Sequence, residues 1–155
     1  MARLVFLLVL ALGCTAARSA SLFELSLPSL TELSQQPLGD YKNQYLIISM
    51  FEPECSWCLK QLKDLELLNA HCHSVLAPVA IGVGQRRGLQ TLIRRAKITF
   101  PALEASPALI ALTGQPEVTP FTLLINPYGE LVTTLTGYIP LEKLEFAFQD
   151  IYNNS

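Results

Sequence analysis

The chain has 155 residues, half of them apolar, with four cysteines and a formal charge of −2 at pH 7. That length fits one domain with a substantial core. So small a net charge, with acids and bases interspersed, excludes the basic patch that nucleic acid would require.

Residues 1–20 read as a secretory signal peptide. Arg3 is followed by Leu4 to Leu12 without a charged or polar side chain, then by the small-residue stretch Gly13 to Ala17. The apolar run is too short to span a bilayer, and cleavage after Ala17 or a few residues to either side fits the small-residue rule. Cys14 opens an alternative, because Leu12-Gly13-Cys14 also resembles the end of a bacterial lipobox, whose cysteine is lipidated and tethers the mature protein to a membrane. Against the tether, Ala11 stands where leucine is usual, and the removed peptide is unusually short. On either reading residues 21–155 form a domain that works outside the cytoplasm, periplasmic, secreted or anchored as a lipoprotein, where disulfides are permitted.

Phe23, Leu25 and Leu27 alternate before Pro28 and predict a short N-terminal strand or hairpin. Pro37-Leu38-Gly39-Asp40 is turn chemistry. Tyr45 to Phe51 is a nearly continuous apolar run, as in a buried strand, and Pro53 ends it. From Ser56 to about Ala70, Leu59, Leu62, Leu65 and Leu68 recur at helical spacing. Val75 to Val83 predicts a second buried strand despite Pro78, and Arg86 to Ala96 a helix with Leu89, Leu92 and Ile93 on one side. Lys97 to Glu104 reads as a short extended stretch, and Pro107 to Thr113 as a short helix ended by Gly114. Phe121 to Ile125 and Leu131 to Leu135, joined by Asn126-Pro127-Tyr128-Gly129, predict an antiparallel hairpin. Leu141, Leu144, Phe148 and Ile151 mark a C-terminal amphipathic helix. The element order gives an α/β fold with a mixed central sheet flanked by helices and a short N-terminal extension.

The chemistry concentrates at Cys55-Ser56-Trp57-Cys58, where a strand turns into a helix N-terminus. Unpaired backbone N–H groups and the macrodipole there favour negative charge, so a thiolate on Cys55 is stabilised. The spacing of i and i+3 brings the second sulfur onto the same face, one turn in. Cys55 is then the exposed attacking thiol and Cys58 the shielded resolving one. Attack on a disulfide gives a mixed disulfide, which Cys58 resolves. Glu52 and Glu54 are candidates for tuning the Cys55 pKa, raising it by like-charge repulsion if they lie close to the sulfur.

Other roles for the pair compete with this one. As a structural crosslink it closes so short a loop that it constrains almost nothing. A metal site recruiting His71, Cys72 or His73 conflicts with helix geometry. Cys72 lies 14 residues beyond Cys58, and a continuous helix separates them by about 21 Å, far beyond one zinc ion or a disulfide. Copper held by Cys55 and Cys58 alone stays open. Cys72 falls in the helical row Cys58, Leu62, Leu65, Cys72 and reads as a buried apolar side chain, with an intermolecular or regulatory thiol as the alternative. His71 and His73 read as surface residues at the helix end, and Lys60 and Lys63 as solvated. Trp57 is either a substrate-contacting surface or a cap on the pair.

From about Phe23 to Tyr152 the chain resembles a thioredoxin-fold protein of the secreted TlpA/DsbE type. Four places carry the resemblance: the strand into Cys55-Ser56-Trp57-Cys58, Phe100-Pro101, Val118-Thr119-Pro120, and Leu124-Ile125-Asn126-Pro127-Tyr128-Gly129-Glu130-Leu131-Val132. It implies that Pro120 is a cis-proline beside the cysteines and that the backbone at Thr119 is free to pair with a substrate peptide, so that Trp57, Thr119 and Pro120 form the substrate-binding side. Two departures stand out. Ser49 occupies the place of thioredoxin's buried aspartate, and Glu54 stands where the family commonly has tryptophan. The function implied is an extracytoplasmic thiol–disulfide oxidoreductase that reduces disulfides in exported proteins. It would need no cofactor beyond the redox-active Cys55–Cys58 disulfide and no metal, and would draw electrons from a membrane donor protein. The alternative is a copper-binding or redox-inactive thiol-client binding module on the same fold.

Overall fold

The computed structural model describes residues 21–72 and 75–153, with side chains to residue 71 before the gap and to residue 147 after it. Residues 1–20, read above as a signal peptide, with Cys14 among them, and His73, and the side chains of Cys72, Phe148 and Ile151, lie outside the described residues. After a one-turn 3₁₀ helix, Leu22–Glu24, the chain forms β1 (Ser26–Pro28), β2 (Gln35–Pro37), a second 3₁₀ helix at Leu38–Tyr41 and β3 (Tyr45–Phe51). It continues through α1 (Ser56–Cys72), β4 (Leu76–Gly82), α2 (Arg86–Ala96), β5 (Ala102–Glu104), α3 (Pro107–Thr113), β6 (Phe121–Ile125), β7 (Leu131–Thr136) and α4 (Leu141–Asn153).

β1 and β2 pair with each other, and the other five strands form one sheet in the order β5-β4-β3-β6-β7. β3, β4 and β5 run parallel, while β6 and β7 are antiparallel to their neighbours. β3 is the middle strand, and its apolar run follows from that: six of its seven residues are buried, because both faces are covered. At the other extreme β7 is an edge strand exposed at all six positions.

Pro78 sits inside β4 without breaking it. The Ala80 N–H donates to the Pro101 carbonyl on the β5 side, and the residue two positions earlier faces the same way. β5 pairs with β4 only from Ala80 to Gly82, so the missing N–H of Pro78 points past the end of β5, where no strand asks for it.

The sheet separates two apolar clusters. Ile47, Phe51, Cys58, Leu62, Leu65, Leu89, Leu92 and Leu144 pack on the face covered by α1, α2 and α4. Leu27, Leu38, Leu46, Ile48, Met50, Ile81 and Leu109 fill the other, under the N-terminal hairpin and α3. Arg86 fastens that hairpin to the sheet edge by donating to the Ser29 carbonyl while pairing with Glu104. α3 starts as its sequence dictates, with the Ser106 hydroxyl accepting from the Leu109 N–H at 3.1 Å and Pro107 in the first turn.

Three local readings are corrected. Leu38 to Tyr41 is a 3₁₀ helix rather than a simple turn, with Leu38 buried beneath it. Extended structure after α2 is confined to Ala102–Glu104, because Lys97 adopts a left-handed conformation (φ 56°) and closes the helix. Phe23 lies in a 3₁₀ turn ahead of the first strand.

Candidate active site

The strand β3 and helix α1 meet in four residues, Glu52 to Cys55. Pro53 is clamped from the α2 side by glycines: a Cβ on Gly88 would sit 2.8 Å from Pro53 Cβ, and Gly84 has a φ of +128° beside the same ring. Only glycine permits that approach. Glu54 then turns the chain with a φ of 62°, an uncommon conformation for a residue with a side chain.

Cys55 is the N-cap of α1. Its carbonyl accepts from Leu59 N–H at 3.1 Å, and its sulfur accepts from the Cys58 N–H, also at 3.1 Å. A helix end with unpaired donors is therefore aimed at this sulfur, and a negative charge on it is stabilised. Cys55 and Cys58 form a disulfide with their Cα atoms 5.2 Å apart. The two sulfurs have unequal surroundings. Cys58 is buried within the apolar cluster of Phe51 and Leu62, whereas Cys55 is half-buried.

The segment before β6 closes over Cys55. The Thr119–Pro120 peptide is cis, and both the carbonyl oxygen and the hydroxyl of Thr119 lie 3.8 Å from Cys55 Sγ. The same hydroxyl donates to Glu52 Oε2 at 3.1 Å. Glu52, Cys55, Thr119 and Pro120, read separately in the sequence, are thus assembled in one place. Glu54 is exposed beside them. Val118 also stands out from the surface.

On the other side of the pair a second group forms. Trp57 is 58% exposed. Its ring packs at 5.3 Å and 31° against Tyr138. The Lys60 ammonium sits 4.5 Å from the Tyr138 ring centre and 5.8 Å from that of Trp57, within cation–π range. Lys60 is exposed on α1, as a solvated helix residue is, and its ammonium is in addition engaged with aromatic rings. The Tyr138 hydroxyl donates to Asp64, and that bond, followed by desolvation, holds the phenol above its ordinary pKa while Lys60 partly offsets the rise. Buried Gln61 fixes the loop that carries Tyr138, accepting from the Ile139 N–H at 2.7 Å and donating to the Ile139 carbonyl at 3.3 Å. Sequence reasoning missed Tyr138, Gln61 and Asp64. The available signal was the stripe Trp57, Lys60, Gln61, Asp64, spaced i, i+3, i+4, i+7 along one helix face.

Ser49 is buried in β3 and pairs in register with Thr122 of β6. Neither hydroxyl has a hydrogen-bond partner among the described residues. The buried polar side chains among the described residues are Ser29, Ser49, Gln61 and Thr122, so no carboxylate is buried beneath the disulfide. His71 is exposed at the end of α1, with Nδ1 2.7 Å from the Leu67 carbonyl. α1 is continuous to Cys72, which holds that residue far along the helix from the pair. Among the described residues no three His, Cys, Asp or Glu side chains are grouped to hold a metal ion.

This architecture, a five-stranded mixed sheet with a Cys-x-x-Cys pair at the start of the first long helix, is the thioredoxin fold. No family model matches the sequence, and no curated protein matches it. Solved structures do match by fold. A DsbF homologue from Corynebacterium diphtheriae superposes with a TM-score of 0.72 at 20% identity, covering 84% of this chain and 86% of that one. A thioredoxin-family thiol:disulfide interchange protein from Chlorobium tepidum gives 0.71 at 18% identity over 83% and 93%. A secreted Mycobacterium tuberculosis disulfide oxidoreductase homologous to Escherichia coli DsbE gives 0.67 at 15% over 79% and 92%. The neighbours are thus of the DsbE and DsbF type, and what the chain shares with them at such identities is the fold.

Proposed function

We propose that the chain is a thiol–disulfide oxidoreductase that acts outside the cytoplasm and reduces disulfides in exported proteins. The observation that carries this reading is the inequality of the two sulfurs: Cys55 is accessible and capped by a helix-end N–H, while Cys58 is buried one turn behind it. In the reduced protein the Cys55 thiolate attacks a substrate disulfide, and a substrate thiolate leaves. Cys58, losing its proton, then attacks Cys55 Sγ, releasing the second substrate thiolate and restoring the Cys55–Cys58 disulfide. Two electrons pass from protein to substrate. No cofactor beyond the dithiol enters, and a second dithiol protein, at the membrane, resupplies the electrons.

Thr119 and Pro120 form one wall of the approach to Cys55, and Trp57 with Tyr138 forms the other. A substrate strand lies between them, its backbone against Thr119 and a side chain on the exposed indole. The carboxylates of Glu52 and Glu54 favour the reducing direction, since negative charge near the sulfur makes its thiolate less stable and its disulfide a weaker oxidant. Two things support extracytoplasmic action, the signal-like composition of residues 1–20 and the secreted Mycobacterium neighbour. The mass of the mature N-terminus decides between simple cleavage and a lipid tether on Cys14.

The test is reduction of insulin disulfides driven by a small dithiol, together with the equilibrium potential of the Cys55–Cys58 couple. Turnover with a potential near the roughly −270 mV of thioredoxin is the expected result. A potential near the roughly −120 mV of strong periplasmic oxidants overturns the reducing direction.

A further inference from the structure

We infer that Glu52 controls Cys55 through the Thr119 hydroxyl, which holds one proton between two acceptors and makes Thr119 a positioning residue for the nucleophile. The inference rests on the exchange reading above and names the group that sets the reactivity of its sulfur.

The Thr119 hydroxyl is 3.1 Å from Glu52 Oε2 and 3.8 Å from Cys55 Sγ. A hydroxyl carries one proton and can satisfy one strong acceptor at a time. In the disulfide state the contest is unequal, because a bonded sulfur accepts weakly and a carboxylate accepts strongly. The proton therefore lies on the Glu52 side. When a donor dithiol delivers two electrons and the Cys55–Cys58 bond breaks, Cys55 becomes a thiolate, an anion in competition with Glu52 for the same proton. Rotation of one hydroxyl turns the hydrogen bond from carboxylate to sulfur.

Glu52 thus acts as a competitor. While it holds the Thr119 proton, the thiolate lacks one of its two donors and keeps only the Cys58 N–H at 3.1 Å. The absence of a buried carboxylate beneath the pair among the described residues leaves this surface route as the hydrogen-bonded link from a carboxylate to the sulfur. Other charged groups lie on the elements that meet at Cys55. Glu54 precedes it, Glu117 lies on the loop before Thr119, Lys60 is held over Tyr138, Asp64 is bonded to Tyr138, and Arg87 is at the start of α2 beside Arg86, which is paired with Glu104. Their influence on the sulfur is through space, and changing Thr119 leaves it in place.

That difference supplies the test. The pH dependence of Cys55 alkylation is measured on the reduced full chain, with the modification located at Cys55 by mass spectrometry. Thr119→Val should raise the ionisation midpoint by about one unit or more, as expected for losing a hydrogen bond to a charged group. Thr119→Ser should restore the wild-type midpoint. Glu52→Ala should lower the midpoint in the Thr119 protein, and by clearly less in the Thr119→Val protein, where the shared proton that couples the two sites is gone and only the through-space repulsion of the carboxylate is left to remove. An equal fall in both backgrounds, no fall in the Thr119 protein, or a serine variant that behaves like valine overturns the inference. Alkylation requires no substrate disulfide, so a failure here is separate from a failure of the insulin assay.

Discussion

The two sulfurs of one disulfide sit three residues apart and live in different chemistry. Around Cys58 everything is packed: Phe51 beneath, Leu62 one turn on, and Gln61 bonded into the neighbouring loop. Around Cys55, half-buried at the edge of that cluster, polar groups gather: a helix N-terminus, a threonine hydroxyl and a glutamate. A helix start produces both environments at once, because its first residue faces the open end while a residue one turn later already faces the core. The order of events in exchange follows from position alone, attack from the open end and resolution from the packed one.

If that division is right, the two sides should break differently. Cys55→Ala should abolish turnover with a change in stability under about 1 kcal/mol once the wild type is reduced, since a half-exposed sulfur contributes little packing. Leu62→Ala should do the reverse, costing about 2 to 5 kcal/mol in denaturant unfolding through lost burial and a residual cavity, while the folded fraction still exchanges thiols. Gln61→Ala lies at the junction. Stripping the Ile139 N–H of its buried partner should cost about 1 to 3 kcal/mol and, by loosening the Tyr138 loop, should raise KM for peptide substrates more than it lowers kcat.

A smaller effect marks a place remote from both sulfurs. Burial, with help from Asp40, pushes the Tyr41 phenol from 10.0 up to about 12. Since the folded value lies above the unfolded one, this contribution to stability is complete below pH 10 and is lost as the pH rises toward 12. Alkaline unfolding followed by circular dichroism should therefore shift to higher pH in Tyr41→Phe, with disulfide exchange at neutral pH unchanged.

What could be seen in the sequence divides along the same line. The bounds of β3, α2, α3 and β6 follow from short-range pattern, and the structure keeps them: a nearly continuous apolar run becomes the middle strand, and Ser106 with Pro107 starts a helix. The attacking end of the site was legible for the same reason, since Cys55 and Cys58 are joined by local helix geometry. The contacts that complete the site are long-range. Thr119 meets Glu52 across 67 residues of chain, and Tyr138 meets Asp64 across 74. Tyr138 lies in Gly137 to Pro140, a connection with neither helical nor strand period, so nothing local marks it. Lys60 reads as a solvated helix residue until the sheet carries Tyr138 beneath its ammonium. Gln61 is polar in sequence and buried in fact, because its amide replaces with two bonds to Ile139 the water it gives up.

The most direct test of the account is to mix two single-cysteine-deleted variants, each reduced, with a peptide disulfide and to read the covalent adducts by mass spectrometry. Cys58→Ala should accumulate a stable mixed disulfide mapped to Cys55, and Cys55→Ala should form little or none on the same timescale. An adduct that builds up on Cys58 in the Cys55→Ala variant while Cys58→Ala stays unmodified would contradict the assignment of attacking and resolving thiols.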